Sequence, residues 1–118
     1  MPVSEGYVEY VVDQLEFIGP IAAKRMFGGV GLYYDGVFFG LIAGDRLYFK
    51  VDDENRQKYI DARARAFQPY GDESYSMSYY EVPVAVLEDV DQLARWARES
   101  VAAAERKTAT KRKARKKG

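Results

Sequence analysis

The chain opens with a helical pattern of apolar residues over positions 4–18. Ser4 is placed to cap this helix, and Gly19-Pro20 is placed to end it. The apolar residues recur at three- and four-residue spacings, which puts them on one side of the helix: Val8, Val11, Val12, Leu15 and Ile18. The pattern therefore predicts an amphipathic first helix that buries one stripe.

The pattern then changes to short apolar runs that are typical of strands. Residues 30–34 and 37–43 flank Asp35-Gly36, a dipeptide that favours a type I′ hairpin turn. Residues 37–43 and 46–51 flank Gly44-Asp45, which suits a type II′ turn. The sequence therefore predicts a three-stranded antiparallel meander.

The two-residue turns also predict which residues share a face of the sheet. One face is expected to carry Tyr33, Phe38 and Val51, then Gly31, Gly40 and Phe49, then Ile42 and Leu47. The other is expected to carry Leu32, Phe39 and Lys50, then Val30, Leu41 and Tyr48, then Tyr34 and Val37. Both faces are largely apolar, which is unusual for an antiparallel sheet wetted on one side. We expect helices of this chain to cover one face and a second subunit the other.

A second helix is expected after the meander, over about residues 53–65. Asp52 or Asp53 is placed to cap it, and Tyr59 and Ile60 are its inward-facing candidates.

The last part of the chain predicts one more strand and one more helix. Residues 75–82 favour a strand that ends at Pro83, which cannot donate to a ladder. The final helix is expected to begin near Asp89, with Gln92 as its capping-box partner. Its buried stripe is predicted to be Leu93, Trp96, Ala97 and Val101.

The order of elements indicates an α+β fold: a helix, three or four strands, a helix, one or two strands, and a helix. The chain has 118 residues, enough for one domain with a core. We assign residues 1–105 to an antiparallel sheet with helices packed on it, and residues 106–118 to a basic tail.

Charge is divided unevenly along the chain. The 18 basic and 18 acidic residues balance, yet residues 1–105 hold ten basic and 18 acidic side chains. The tail holds eight basic residues and no acidic one: Arg106, Lys107, Lys111, Arg112, Lys113, Arg115, Lys116 and Lys117. Such a tail is expected to be flexible or a frayed helical extension, and to contact DNA or RNA phosphates without sequence preference. A solubilising tail and a tail that docks on its own acidic globule are the alternatives.

The composition argues against most enzyme classes. Without cysteine or histidine the chain has no thiolate nucleophile, zinc–thiolate site or histidine-based triad. The acidic clusters Asp52-Asp53-Glu54 and Glu88-Asp89-Val90-Asp91 lie at predicted helix N-termini, where carboxylates are favoured without any catalytic role. We therefore predict no catalytic residue, no metal site and no cofactor. With no signal peptide and no apolar run of about 20 residues, the chain is expected to be cytoplasmic.

Two further features have both a functional and a structural interpretation. The segment from Arg25 to Gly31 is rich in glycine, but it lacks the phosphate-loop and dinucleotide patterns, so close packing is the preferred interpretation. The ten tyrosines could stack on single-stranded bases, yet in an acidic globule they favour core edges or interfaces.

Several motifs in series resemble the TfoX/Sxy family, N-terminal domain. They are Arg25-Met26-Phe27-Gly28-Gly29, Gly31-Leu32-Tyr33-Tyr34-Asp35-Gly36, Leu47-Tyr48-Phe49-Lys50-Val51-Asp52, Asn55-Arg56 and Met77-Ser78-Tyr79-Tyr80-Glu81-Val82-Pro83. The resemblance runs from about Glu5 to Val101. It implies a secretion-chaperone-like α+β fold, makes a homodimer plausible, and implies a link to competence and transcription regulation. The resemblance supplies no catalytic residue, and it leaves Arg25, Met26, Phe27, Gly28, Gly29, Tyr79, Tyr80 and Pro83 as structural motif residues.

The sequence thus predicts a non-enzymatic, bacterial regulatory or adaptor domain whose tail contacts nucleic acid and whose globule contacts protein. In the longer relatives a second helical domain follows the matched region, whereas a basic tail follows it here. Two alternatives stay open. One is a small-molecule-binding or hydrolytic domain that uses tyrosines, Arg25 and a carboxylate, and the other is a peptide-binding chaperone.

Overall fold

A computed structural model describes residues 4–26, 28–67 and 78–117, with the side chains of all of these except 108 and 110–117. The helices are α1 (Glu5–Gln14), a 3₁₀ turn (Glu16–Ile18), α2 (Arg56–Asp61), α3 (Val84–Leu87) and α4 (Val90–Lys117). The strands are β1 (Ile21–Met26), β2 (Gly29–Tyr34), β3 (Val37–Ala43), β4 (Arg46–Lys50) and β5 (Tyr79–Glu81). They form one antiparallel sheet in the order β1-β2-β3-β4-β5. The predicted α+β fold is confirmed.

Helix α1 begins at its predicted cap, but it ends at Gln14, before the predicted end at residue 18. The Ser4 hydroxyl accepts a hydrogen bond from the backbone N–H of Tyr7 at 3.3 Å. The helix closes through a 3₁₀ turn, and Gly19 then adopts a φ of 127°, which favours glycine. The predicted stripe residues Val11, Leu15 and Ile18 are buried.

The two hairpin turns have the same geometry. Asp35 and Gly36 have φ values of 49° and 78°, so the predicted type I′ turn is confirmed. Gly44 and Asp45 both have a φ of 56°, so the expectation of a type II′ turn is wrong, since that turn needs a positive φ only at its first central residue. Aspartate tolerates the left-handed region, and this allows the type I′ twist at both hairpins.

A β-bulge changes the predicted register between β2 and β3. Near the turn Tyr33 pairs with Phe38 as expected, but Leu32 then pairs with Gly40 and not with Phe39. Phe39 is the extra residue, and its buried ring packs against Phe49 with centroids 5.6 Å apart. Beyond the bulge the predicted pairs of Gly31 with Gly40 and of Val30 with Leu41 are wrong. Between β3 and β4 the predicted pairs of Gly40 with Phe49, Leu41 with Tyr48 and Ile42 with Leu47 are confirmed, whereas the predicted pair of Phe39 with Lys50 does not form, because Phe39 is the extra residue of the bulge.

With the bulge, the large apolar side chains of the sheet lie on one face. Helices α1, α3 and α4 contribute the other side of this core. The buried residues of the sheet include Val30, Leu32, Phe39, Ile42, Leu47 and Phe49, and those of α4 include Leu93, Trp96 and Ala97. Burial of the predicted α4 residues is confirmed, with Val101 packed at the edge of the cluster.

The second helix is shorter than predicted. Helix α2 begins only at Arg56, because the Asn55 side chain accepts from the Asp52 N–H at 2.7 Å and donates to the Lys50 carbonyl at 3.1 Å. The expectation that Asp52 or Asp53 caps this helix is therefore wrong. Tyr59 is fully buried as predicted, while the prediction for Ile60 is wrong, since that residue is 50% exposed.

Two elements have no predicted residue range, although the predicted order allows a fourth strand before the second helix. Strand β1 is a full edge strand, although four of its six residues are exposed and carry no apolar alternation. After Pro83 the short helix α3 precedes α4, where the Asp89 carboxylate accepts from the Gln92 N–H at 3.2 Å. The predicted start of the last helix near Asp89 is confirmed.

Candidate functional site

The glycine-rich segment that follows β1 packs tightly against its neighbours. A β-carbon at Gly29 would lie 2.5 Å from the carbonyl oxygen of Ile42, and one at Gly31 would lie 2.7 Å from the Met26 methyl group. At both positions a neighbouring group lies too close to leave room for a side chain, so this packing favours glycine. Gly28 has a φ of 79°, and Phe27 lies outside the described residues.

Arg25 lies beside this segment on the surface. Its guanidinium is 3.5 Å from the Glu5 carboxylate, and both side chains are more than half exposed. The adjoining hollow of about 210 Å³ is small, with Glu9 also on its wall. A cleft large enough to enclose a substrate does not occur beside Arg25 among the described residues.

The motif residues near β5 divide between the two faces of the sheet. Tyr80 pairs with Phe49 on the core face, and its ring lies 5.9 Å from that of buried Tyr59. Tyr79 points to the opposite face, where it pairs with Lys50. The Pro83 carbonyl accepts from the N–H groups of Val86 and Leu87, which places this proline at the start of α3.

The face turned away from the core carries a row of aromatic rings with a lysine at each end. Ring centroids are 5.2 Å apart between Tyr33 and Phe38, and 5.8 Å apart between Phe38 and Tyr79. The Lys24 ammonium lies 5.0 Å from the Tyr33 ring, and the Lys50 ammonium lies 5.0 Å from the Tyr79 ring. We call these five residues the aromatic row.

The environment of the aromatic row is partly desolvated. Lys50 is only 6% exposed, and the three rings are half-buried. Burial, together with the nearby Tyr33, raises the pKa of the Tyr79 hydroxyl to about 12. This hydroxyl is therefore a neutral hydrogen-bonding group throughout the physiological range.

One end of the aromatic row opens into the largest described cavity, of about 740 Å³. Its floor is formed by Phe38, Tyr79 and Lys50, and its other wall by the part of α4 that includes Lys107. Asp35 and Glu105 lie at its rim and are exposed. We call it the row cavity. Its volume lies within the range of small-ligand pockets.

Helix α4 continues beyond the core without a break. Its last buried side chain, among those described, is Ala104, while its helical backbone runs on to Lys117. The basic tail, from Arg106 onward, is thus a continuation of a core helix. Side chains of the cations from Lys111 to Lys117 lie outside the described part.

Arg106 is bound to the acidic turn before α2. Its guanidinium donates to both oxygens of Asp52, at 2.7 and 2.9 Å, and lies 2.8 Å from a Glu54 oxygen. The hydrogen bond from Arg106 holds the pKa of the Asp52 carboxyl below its usual value. A residue predicted to contact phosphate is therefore held against the globule, and Lys107, which is exposed, is the next cation along the helix.

Other polar groups lie in ion pairs, in a helix cap or in the buried core. Asp53 is paired with Arg56 at 2.5 Å, and Asp89 caps α4. Ser100 and the Tyr59 hydroxyl are buried in the core, where burial raises the pKa of Tyr59. Within the described ranges no three acidic side chains form a group able to hold a metal ion.

A second surface lies where α1 and α3 meet the end of β4. This groove of about 550 Å³ has three carboxylates on its walls, Asp45, Glu81 and Glu88, together with Arg46, which is paired with Glu81 at 3.2 Å. Burial, followed by the charges of Glu81 and Asp45, raises the pKa of Tyr7 to about 12. Large apolar side chains are exposed beside it: Tyr10 at 41% and Val84 at 64%.

The aromatic row is the feature that sequence reasoning missed. The predicted register placed Lys50 on the face opposite to Tyr33 and Phe38, whereas the bulge brings all three to one face. A glycine inside a strand is a recognised signal for a bulge, and Gly40 offered that signal. A second copy on this face stays a prediction.

Comparison with known proteins places this architecture in a family. The family model described as the TfoX N-terminal domain matches residues 13–104, which is most of the chain. No curated protein matches the chain significantly. In the part of the chain that the structure describes, no helix has the length and apolar character needed to cross a membrane.

Proposed function

This chain belongs to the TfoX N-terminal domain family, and on that premise we propose that it is a cytoplasmic, non-enzymatic regulatory or adaptor domain that binds nucleic acid through its C-terminal helix. The observation that carries the proposal is the continuity of α4. Helix α4 has buried side chains as far as Ala104, and its helical backbone continues to Lys117 through a segment rich in basic residues. The resemblance to the competence and transcription regulators supports a role at DNA.

The anchor at Arg106 supports the same role. Because Asp52 and Glu54 hold its guanidinium, the helix has a fixed base just before the remaining cations. Seven cations follow in the sequence, and no acidic residue occurs among them. A contact of each with one phosphate would give a slope of log K against log salt of about −6 for duplex DNA.

The test is a titration of fluorescent duplex DNA with the full chain at several salt concentrations. The variant changes six cations to glutamine, which keeps helix propensity: Lys111, Arg112, Lys113, Arg115, Lys116 and Lys117. The slope is expected to become shallower by about 5, since each lost contact removes roughly 0.9.

The matched control removes two exposed cations of the globule, Arg65→Gln and Arg95→Gln, and is expected to keep the parental slope. Equal slopes for the parent and the six-fold variant would overturn the proposal. Absence of binding by the parent at low salt would do the same.

A contact with protein is the second part of the proposed function. The groove between α1 and α3 favours a partner with basic side chains, because two of its carboxylates, Asp45 and Glu88, remain beside the Arg46–Glu81 pair and the Val84 side chain next to them is 64% exposed. A photo-crosslinking amino acid at Val84 should capture protein in nuclease-treated cells, and one at Ile60, which is also exposed, should not. Equal capture from both positions would contradict this surface.

The hydrolytic and small-molecule alternative has less support. It requires a polar pocket beside Arg25, but the hollow there is small and the Arg25 side chain is 66% exposed. The chaperone alternative requires a long apolar groove, whereas the described grooves have charged walls.

A further inference from the structure

The aromatic row has the features of a surface that stacks nucleic-acid bases. Three rings follow one another at centroid distances of 5.2 and 5.8 Å, on the sheet face turned away from the core. Rings arranged in this way on a sheet offer π-faces to successive bases, and stacking is tolerant of sequence because every base has a π-face.

The charges near the aromatic row differ from those of the globule as a whole. Residues 1–105 are strongly acidic, yet Lys24, Lys50 and Lys107 lie along the row and its cavity, against Asp35 and Glu105 at the rim. Cations beside aromatic rings can pair with phosphates while the rings stack on bases, which is the combination that a nucleic acid offers. This local charge complementarity favours nucleic acid over an apolar partner.

We propose that a single strand of nucleic acid binds along the aromatic row, with bases stacked on Tyr33, Phe38 and Tyr79 and phosphates beside the exposed cations Lys24 and Lys107. The inference rests on the proposed function for the identity of the ligand. It deepens that function because it places the surface that binds the bases of a single strand on the globule. The C-terminal helix then contributes backbone contacts.

The position of Lys107 connects the two surfaces. It lines the row cavity and is also the first cation of α4 after the Arg106 anchor. A strand that leaves the cavity therefore meets the basic helix. A duplex is excluded from the row because its bases are stacked inside the double helix, so only an unpaired strand can use the rings.

The test compares a fluorescent 12-nucleotide oligo(dT) with a duplex of equal length, using the full chain and the six-fold glutamine variant. Phe38→Leu keeps an apolar side chain but removes the ring, and should weaken single-strand binding at least about 5-fold, the lower limit for one lost stack. Duplex binding should not change. Phe17→Leu is the matched control, since Phe17 is 62% exposed and lies outside the sheet.

The outcomes separate the two proposals. If the six-fold variant loses duplex binding, and Phe38→Leu weakens oligo(dT) binding both in the parent and in that variant, both proposals are supported. If Phe38→Leu and Phe17→Leu bind oligo(dT) equally, the aromatic row is overturned while the helix proposal stands. If Phe38→Leu weakens single-strand binding and the six-fold variant binds duplex like the parent, the helix proposal fails and the row stands.

Ultraviolet crosslinking gives a readout that does not depend on the stability of a variant. Bound oligo(dT) should crosslink to peptides that contain Tyr33, Phe38 or Tyr79, as mapped by mass spectrometry. Crosslinks confined to residues after 106 would overturn the inference. Competition by thymidine monophosphate as strong as that by oligo(dT) would also overturn it, in favour of a free nucleotide. Light scattering that finds a dimer unaffected by saturating oligo(dT) and abolished by Phe38→Leu would assign the face to a second copy instead.

Discussion

At the residue scale, the most informative contact is between Arg106 and the turn before α2. Asp52 accepts two hydrogen bonds from this guanidinium and a third from the Glu54 N–H at 3.0 Å. These bonds favour the ionised carboxylate and explain its lowered pKa. One side chain thereby joins the end of the core helix to an acidic turn 54 residues earlier in the chain.

Replacement of this guanidinium should lower stability modestly and in a pH-dependent way. Arg106→Gln is expected to cost up to about 1 kcal/mol near neutral pH, since both partners are partly exposed. Because the pKa of Asp52 is lowered in the folded state from an ordinary value of 3.8, its contribution is present above that value. The contribution is lost as the pH falls through the folded value.

The measurement is urea denaturation at pH 7 and at pH 3 or below. The difference between the parent and Arg106→Gln should shrink at the lower pH. Lys107→Gln serves as the control because Lys107 is exposed and the next residue along the helix. A difference that persisted unchanged at low pH would contradict the role of Asp52.

At the element scale, glycines decide how closely the strands approach one another. Gly29 pairs with Met26 at the hairpin end of β1 and β2, and its α-carbon faces the Ile42 carbonyl. The backbone carbonyl cannot move aside as a flexible side chain could. Gly40, next to the bulged residue Phe39, is also closely approached, since a β-carbon there would lie 3.0 Å from the Tyr48 carbonyl oxygen.

A methyl group at Gly29 should therefore destabilise the sheet. Gly29→Ala is expected to cost about 1 to 3 kcal/mol, the range for overpacking a close contact. Gly6→Ala is the opposite control, since nothing lies within 4 Å of its β-carbon position and it lies within α1. It should be neutral or stabilising by up to about 1 kcal/mol. Thermal denaturation of both variants checks the pair, and equal effects would contradict the packing argument.

At the scale of the whole molecule, stability and charge are carried by different parts of α4. The buried residues, from Leu93 to Ala104, belong to the core that the helix shares with the sheet. All eight cations of the basic tail follow this segment. The division at residue 105 stays a prediction, and it has a measurable consequence.

The six-fold glutamine variant should have nearly the same free energy of unfolding as the parent, within about 0.5 kcal/mol. Leu93→Ala, by contrast, should cost roughly 2 to 5 kcal/mol, because Leu93 is fully buried between α4 and the rest of the core. Chemical denaturation followed by Trp96 fluorescence compares the two. A large loss in the glutamine variant would show that the basic end is part of the folded core.

The sequence alone determined the features that depend on neighbours in the chain. The α1 cap at Ser4, the Asp35-Gly36 turn, the pairing of β3 with β4 and the buried stripe of α4 follow from local chemistry and periodicity. The uneven division of charge is also a property of the sequence. The family resemblance, which rests on motifs in series, was confirmed.

Only the tertiary structure decided which side chains meet across the fold. A single extra residue in β3 turns Tyr33 and Phe38 to the same face as Lys50. Gly40 is a local signal for a bulge, but a glycine by itself does not determine that the strand bulges there. The partner of Arg106 likewise depends on where α4 crosses the turn at Asp52, which is a consequence of how the core packs. Long-range packing therefore converted a chain with scattered tyrosines and a basic end into one with an aromatic row beside an anchored basic helix.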